Sequence, residues 1–363
     1  MQNLDNLSLA AAYDYVLPPE LIAQKPVTPR DSSRLLVLHG ERIEHKTFRD
    51  FPTLLNPGDL LVLNETRVIA ARFGGRRVPS GGAVELLLLH PSGSARYDPN
   101  AKRWVALVKP ARRLRAGEQI AFGGFGAAMI TATHDGGLRE IELSLTADFE
   151  TFLRQAGRLP LPPYVDTDSA EAQAGYQTVF ARQPGSVAAP TASLHFTHEI
   201  LHQLTREGVE LAKIVLDVGL GTFRPLQTET LGEHHMHAES FSIPSETALA
   251  IEQAKSRGAR VIAAGTTVVR ALEASAAKHS VVHAGEDETD LFIKPGFRFR
   301  VVDAMLTNFH LPRSTLLVLV SAFAGHEHIM RAYDEAIDRR YRFFSFGDAM
   351  FLEPSSSATR CRS

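Results

Sequence analysis

Six segments of this chain gather small, hydroxylated, basic and aromatic residues where a plain core would be apolar. Segment 185–197 is rich in small residues and ends in His195 and Thr197 before a helical pattern. Small side chains admit a ligand close to the backbone, and free N–H groups at a helix start favour an anion. The plainer reading is a loop whose Thr197 caps the helix. Segment 218–225, with Gly219, Gly221, Thr222 and Phe223, follows a strand-like run, and ligands in α/β sheets sit at strand ends. It lacks the third glycine and following helix of a dinucleotide fingerprint, so a Rossmann phosphate loop is rejected. A Gly-x-Gly pair after a strand is also an ordinary tight turn. In 233–239, His235, His237 and Glu239 alternate and would share one face of an extended chain, a set able to bind a metal. The helical spacing of a zinc hydrolase is missing around them. No metal is expected, and the cluster reads as structural or substrate-contacting.

The other three segments lie further along. Gly265, Thr266 and Thr267 stand at a strand-to-helix junction, with Arg270 and Glu273 in the following turns and either threonine a plausible N-cap. Segment 307–313 places Asn308, His310 and Arg313 on a loop. Segment 341–350 carries four aromatics with Arg342 and Asp348, a mixture suited to stacking on a nucleobase, although packing on the core explains most of the rings.

The elements that must position these groups follow two textures. Runs at 84–90, 104–108, 119–122, 128–132 and 139–144 are short, apolar or alternating, and are divided by Gly-, Pro- and Ser-rich turns. That pattern predicts a small antiparallel barrel or sandwich at 70–150. Beyond it, helical spacing over 198–207 and 245–257 leads through glycine into strand-like runs at 211–218 and 259–264. A further helix is predicted at 268–277 and another at 328–341, and the run at 314–320 fits either strand or helix. Helix–strand alternation argues for an α/β fold with a largely parallel sheet, to which the runs at 34–38 and 59–63 most economically belong. The expected organisation is a discontinuous α/β domain, 1–69 with 151–354, holding an inserted antiparallel β-barrel domain at 70–150. Residues 355–363 are expected to form a disordered tail.

Charge sharpens this division. The 363 residues hold 39 Lys and Arg against 41 Asp and Glu, yet positions 67–115 contain eleven basic residues and two acids. The block is nine positive and the remainder eleven negative. Arg67, Lys109, Arg112, Arg113 and Arg115 therefore point to a polyanionic partner, a solvated basic face being the alternative. The single cysteine, Cys361, excludes a disulfide framework, a cysteine zinc site and an iron–sulfur cluster. The opening residues lack the basic and apolar regions of a signal peptide, and the apolar run at 316–324 is far shorter than the roughly 20 residues that span a bilayer. A cytoplasmic protein without membrane contact is expected.

Together the motifs resemble, along nearly the whole chain, the S-adenosylmethionine:tRNA ribosyltransferase-isomerases of queuosine biosynthesis. The likeness runs through 17–24, 30–37, 64–68, 104–110, 185–197, 218–225, 235–239, 265–270, 303–312 and 341–350. This chain departs from the family pattern with Glu65 for Asp, Ser193 for Gly, Asp217 for His, Val268 for Ser and Phe346 for Tyr. The resemblance implies transfer and isomerisation of the ribosyl part of S-adenosylmethionine onto 7-aminomethyl-7-deazaguanine (preQ1) at the wobble position of a tRNA with a GUN anticodon. Epoxyqueuosine-tRNA, adenine and methionine would be the products, and the enzyme a monomer. Such chemistry needs a base for the 5′ C–H beside the sulfonium, a proton donor for the leaving purine and a neutral attacking amine. On this reading His195 and His310 transfer protons, while Asp303 and Asp348 orient or act as bases. Thr266, Thr267 and Arg270, with Gly265, hold the methionine carboxylate; Gly219, Gly221, Thr222 and Phe223 line the adenosine. Arg67, Lys109, Arg112, Arg113 and Arg115 bind tRNA phosphates. An RNA-binding module without chemistry and a metal-dependent hydrolase built on 233–239 are the rival readings.

Overall fold

The computed structural model describes residues 6–94, 96–165, 169–219 and 226–354. Short 3-10 turns lead into a hairpin of β1 (Arg34–His39) and β2 (Arg42–Thr47), then β3 (Leu60–Asn64) and the short β4 (Thr66–Val68). Six strands follow: β5 (Arg72–Val78), β6 (Ala83–Pro91), β7 (Arg103–Lys109), β8 (Gln119–Ala121), β9 (Gly126–Thr133) and β10 (Leu138–Leu145). The chain returns through α1 (Phe149–Ala156), α2 (Ala170–Gly175), β11 (Gln183–Ser186), α3 (His198–Arg206) and β12 (Glu210–Leu216). Next come β13 (Glu239–Ile243), α4 (Ser245–Ser256), β14 (Val261–Ala264), α5 (Thr266–His279) and β15 (Gly285–Thr289). The last elements are β16 (Ala304–Asn308), α6 (Thr315–Ala324), α7 (His326–Asp338) and β17 (Ala349–Leu352).

Nine strands form one mixed sheet in the order β15-β13-β12-β3-β14-β16-β17-β1-β2. Its centre is parallel, β12, β3, β14 and β16 all running one way, and β17 pairs parallel with β1. The remaining pairs are antiparallel, so the parallel character is confined to the middle of the sheet. Every residue of β3, β14 and β16 is buried. Strands of that kind require cover on both faces. On one face Leu60, Val62 and Ala263 pack with residues of α4 to α7. On the other, Leu61, Leu63 and Ile262 meet Phe48, Phe51 and the Ile200–Leu204 side of α3.

β5 to β10 close into an antiparallel barrel with its own core, including Phe73, Leu86, Leu88, Trp104 and Ile141. The α/β fold with an inserted barrel is therefore present. α1 plugs that barrel: Phe152 stacks on Phe73 at 4.4 Å and Phe149 on Trp104 at 4.9 Å. The expected boundary at 150 falls inside this helix. Asp148 caps α1, its carboxylate accepting from the Thr151 N–H at 2.8 Å.

Two local expectations change. The run at 314–320 is helix, because the Ser314 hydroxyl accepts from the Leu317 N–H and caps α6 where an apolar run alone has no period to decide. At α5 the N-cap is neither threonine but Gly265, at φ 106, a backbone conformation that threonine avoids. The Thr266 and Thr267 hydroxyls are thereby released from capping. Among the described residues no helix is long and apolar enough to cross a membrane. The expected tail at 355–363 and the positions Gly221, Thr222 and Phe223 lie outside the described residues.

One buried amide ties the exit toward the barrel to the sheet. Asn64 donates from Nδ2 to the Leu216 carbonyl at 2.9 Å, and its Oδ1 accepts from the N–H groups of Leu216 and Thr66 at 3.1 Å each. Replacing Asn64→Leu leaves those backbone groups unpaired in a buried place and should cost about 3 kcal/mol in urea unfolding. A loss below about 1 kcal/mol would show that the amide is dispensable.

Candidate active site

Because β3, β12, β14 and β16 are parallel, their carboxyl ends lie along one edge, and the loops that leave them carry the polar motifs. β14 ends at Gly265–Thr267, β16 at Asn308–His310, β12 at Asp217–Gly219 and β3 at Asn64 and Glu65. β1 and β17 begin at this edge and bring Ser33, Arg34 and Asp348; β13 begins there with Glu239.

A pocket with 630 Å³ of empty space opens at this edge. Gly265, Thr266, Thr267, Asn308 and His310 line it, with Tyr164, Phe344 and Ser345 on a facing wall. The first turn of α5 faces the space, and the Ser314 cap and Leu316 of α6 do the same. First-turn amides have no intrahelical acceptor, and the helix dipole makes these ends favourable to negative charge. The Thr267 hydroxyl is buried without a partner, as is the Asn308 Oδ1. Buried polar atoms of this kind call for a partner from outside the chain, a water, an ion or a ligand.

The two histidines differ in place. His310 lines the pocket; its Nε2 meets the Thr307 hydroxyl at 2.8 Å, and its backbone is held by Tyr15 and Tyr333. Burial pushes its pKa down to about 3. His195 lies outside that lining, stacked on Phe48 at 5.1 Å, with Nδ1 2.7 Å from the Ser33 hydroxyl and Nε2 buried without a hydrogen bond. Burial lowers its pKa to about 4, against an opposing pull from Asp348. Both rings are neutral imidazoles at neutral pH. Neither is an imidazolium acid, and burial makes each a weaker base than a free imidazole.

Asp348 is buried and accepts the Arg34 and Arg342 N–H groups at 2.9 and 2.8 Å, with the Arg34 guanidinium at 3.2 Å. It orients the strand starts beside His195. Asp303 goes elsewhere. It precedes β16, about 16 Å of strand from Asn308, and there it holds the Val261 N–H and Lys255 at 2.9 and 3.1 Å. That is the far edge of the sheet, so Asp303 is a positioning residue for β14 and not a group of the pocket. Arg270 is likewise redirected. It is buried against Glu239 as an ion pair, with further bonds to the Leu291 and Thr289 carbonyls at 3.2 and 3.3 Å. A carboxylate of the chain already neutralises it. Glu239 Oε1 also accepts the Gly219 N–H at 2.9 Å, while His235 and His237 are exposed. The carboxylate that the metal reading needs is thus engaged by an arginine. Glu273 takes the N–H groups of 300–302 at 2.9 to 3.0 Å and is structural.

Of the four closing aromatics, Tyr341 and Phe343 belong to the core and Phe346 packs on Tyr176; Phe344, at φ 72, lines the pocket beside Tyr164. Tyr164 is a wall residue that sequence reasoning missed. Its signal was the proline-rich stretch 160–163, which stiffens the chain ahead of it.

Val218 lines the pocket and also a cleft of 1290 Å³ beneath the barrel, walled by His90, Ser94, Val105 and Leu138. A neighbouring cleft of 1650 Å³ shares Asp217 with it and includes Arg96 and Tyr97. The basic turn at Ala111–Arg113 abuts this barrel wall, since Arg139, next to Leu138, donates to the carbonyls of Ala111 and Leu114 at 2.6 and 2.7 Å. Arg67, Lys109, Arg112, Arg113 and Arg115 are exposed, and among the described residues none forms an ion pair. Three other barrel cations are matched by barrel acids: Arg72 with Glu85, Arg77 with Glu118 and Arg103 with Glu142.

Comparison with known proteins agrees with these features. A family model described as queuosine biosynthesis protein matches residues 10–352. A relative from Symbiobacterium thermophilum, named S-adenosylmethionine:tRNA ribosyltransferase-isomerase, is 52% identical over 343 residues, covering 94% of this chain and 98% of its own. One of the same name from Heliobacterium modesticaldum is 50% identical, covering 94% and 99%. The crystal structure of an S-adenosylmethionine tRNA ribosyltransferase from Thermotoga maritima is 39% identical, with a TM-score of 0.53 over 94% of this chain and 99% of that one.

The lowered histidines carry a pH consequence. The unfolded chain binds a proton at His310 near pH 6.5, and the folded chain resists it down to about pH 3. Stability from this residue is therefore lost as pH falls below 6.5. Relative to a His310→Gln variant, the parent should lose roughly 2 kcal/mol between pH 7 and pH 5 in denaturant titrations. Parallel curves would contradict a buried neutral ring.

Proposed function

The chain belongs to the queuosine biosynthesis protein family, and from that premise we propose that it transfers and isomerises the ribosyl group of S-adenosylmethionine onto a tRNA wobble base. The acceptor is 7-aminomethyl-7-deazaguanine in a GUN anticodon, and the products are epoxyqueuosine-tRNA, adenine and methionine. The observation that carries this reading is Val218, a wall common to the pocket at the α5 and α6 ends and to a cleft beneath a barrel with unmatched cations.

S-adenosylmethionine occupies the pocket, its carboxylate at the α5 and α6 ends, near the Thr266 and Thr267 hydroxyls. Gly219, on the adjoining cleft next to Val218, borders the adenosine. The sulfonium makes the 5′ C–H acidic, so a base must stand in the pocket wall, and the His310 ring, which burial weakens as a base in the empty pocket, is the candidate. His310 is the residue in position, with His195 and Asp348 arranging the strand starts behind Asn308. Fixing donor and acceptor together supplies much of the rate. Arg67, Lys109, Arg112, Arg113 and Arg115 hold anticodon-stem phosphates while the wobble nucleotide is splayed toward the cleft. The barrel from 70 to 150 thus serves as the RNA platform of an α/β catalytic unit, 1–69 with 151–354, in a monomeric enzyme.

Incubation with S-adenosylmethionine and a precursor-bearing anticodon stem–loop should release one adenine per modified stem–loop by mass spectrometry. No adenine would sink the reading. Arg112→Glu with Arg113→Glu should weaken stem–loop binding at least tenfold and flatten its log–log salt slope by about 1.5. S-adenosylmethionine affinity should stay unchanged. An unaltered salt slope would remove these arginines from the RNA contact.

A further inference from the structure

Most buried acids at the catalytic edge have a cation: Glu239 has Arg270, Asp348 has Arg34 and Glu65 has Lys213. Asp217 has none among the described residues. It follows β12 directly, its backbone N–H donates to the Ser240 carbonyl at 3.1 Å, and its side chain lines both clefts beneath the barrel. Oδ1 accepts the Thr66 hydroxyl at 2.7 Å. Oδ2 faces Gly185, where a Cβ would stand 2.6 Å from it, so any other residue at 185 would crowd that oxygen. The groups around the carboxyl are Thr66 from β4, Gly185 from β11, Arg96 and Tyr97 from the barrel, and Glu239 from β13. Glu65 lines one of these clefts, His90 and His237 the other, and Glu288 both. Arg96 is already paired with Glu286. Burial and the Glu239 charge favour the protonated form, against Thr66 and Arg96, and the carboxyl is pushed up to about 6.

We propose that Asp217 receives the primary ammonium of the incoming nucleobase and takes its proton before the amine reacts. This rests on the function proposed above. The adjacent residue, Val218, forms the wall shared with the donor pocket, so an ammonium seated on Oδ2 waits beside the donor. In a half-dry cleft an ion pair of ammonium and carboxylate lies close in energy to neutral amine and carboxylic acid. An N–H bond breaks, an O–H bond forms at Asp217, and the electron pair stays on nitrogen for attack. A carboxyl near 6 accepts this proton more readily than an ordinary surface aspartate.

The test compares anticodon stem–loops bearing 7-aminomethyl-7-deazaguanine or guanine at the wobble position. By fluorescence anisotropy at pH 7.5, the parent should bind the amine-bearing loop at least tenfold more tightly. That preference should fade below about pH 6, where the carboxyl is protonated. Asp217→Asn should bind both loops alike, and Asp217→Glu should recover part of the preference. S-adenosylmethionine affinity, unchanged in both variants, verifies the fold. A preference that survives in Asp217→Asn, or a parent that releases adenine yet shows no preference, overturns the inference and leaves the activity standing. Weakened S-adenosylmethionine binding in Asp217→Asn overturns it too, by assigning the carboxylate to the donor. A parent that releases no adenine sinks the activity itself.

Discussion

Four parallel strands set everything else in place. When β3, β12, β14 and β16 run the same way, their carboxyl ends share one edge, and every loop that leaves them must turn there. Those ends expose the polar groups of the turning backbone and of the helices that follow, which is why ligands collect at such edges. The opposite edge receives the charged residues that only close the structure. Asp59, Arg260 and Glu353 form one ion-pair network there, with Asp303 and Lys255 as another pair. Function and stability are thus separated by the length of a strand.

The same edge explains where the barrel stands. β3 ends at Asn64, whose amide holds β12 alongside, and the chain departs through β4 into β5. An insertion that leaves from the carboxyl edge has to sit over it. The barrel closes on its own core and is plugged by α1, so its cations need no partner for stability. Arg72, Arg77 and Arg103 are matched by barrel acids, and the cations of the turn at Ala111–Arg113 have no ion pair among the described residues. An exposed charge without a partner is cheap in water and available to phosphate.

Inside the edge, burial decides protonation. His195 and His310 are pressed to the neutral form because a charged ring has lost its water and gained no adequate counter-charge. Asp217 moves the other way for the same reason, and the buried acid–base pairs around it are closed among themselves. The pocket wall consequently presents hydroxyls, an amide, a neutral ring and helix ends, with formal charge kept behind it. The sulfonium donor proposed for this pocket would meet a surface of oriented dipoles, which needs little reorganisation as charge moves.

Local pattern was enough for much of this. The alternation of the barrel strands, the basic block, the apolar centre strands and the small-residue loops each depend on neighbours within a few residues, so they stand in the sequence. The gathering of segments 185–197, 265–267 and 307–310 around one site was legible through family likeness. Partner choice was not. Whether Arg270 meets a ligand or Glu239, whether Asp303 faces the pocket or the far edge, and whether Gly265 or a threonine caps α5 depend on strand direction and on residues distant in the chain. Tyr164 and Asp217 gained their positions in the same way, one across the pocket from His310 and the other under the barrel. Sequence by itself determined which residues can do chemistry and which segments are strand or helix, because those are properties of side chains and short-range spacing. Only the tertiary structure decided which groups are neutralised and which are left for a ligand, because a charge is satisfied by whatever lies across space from it.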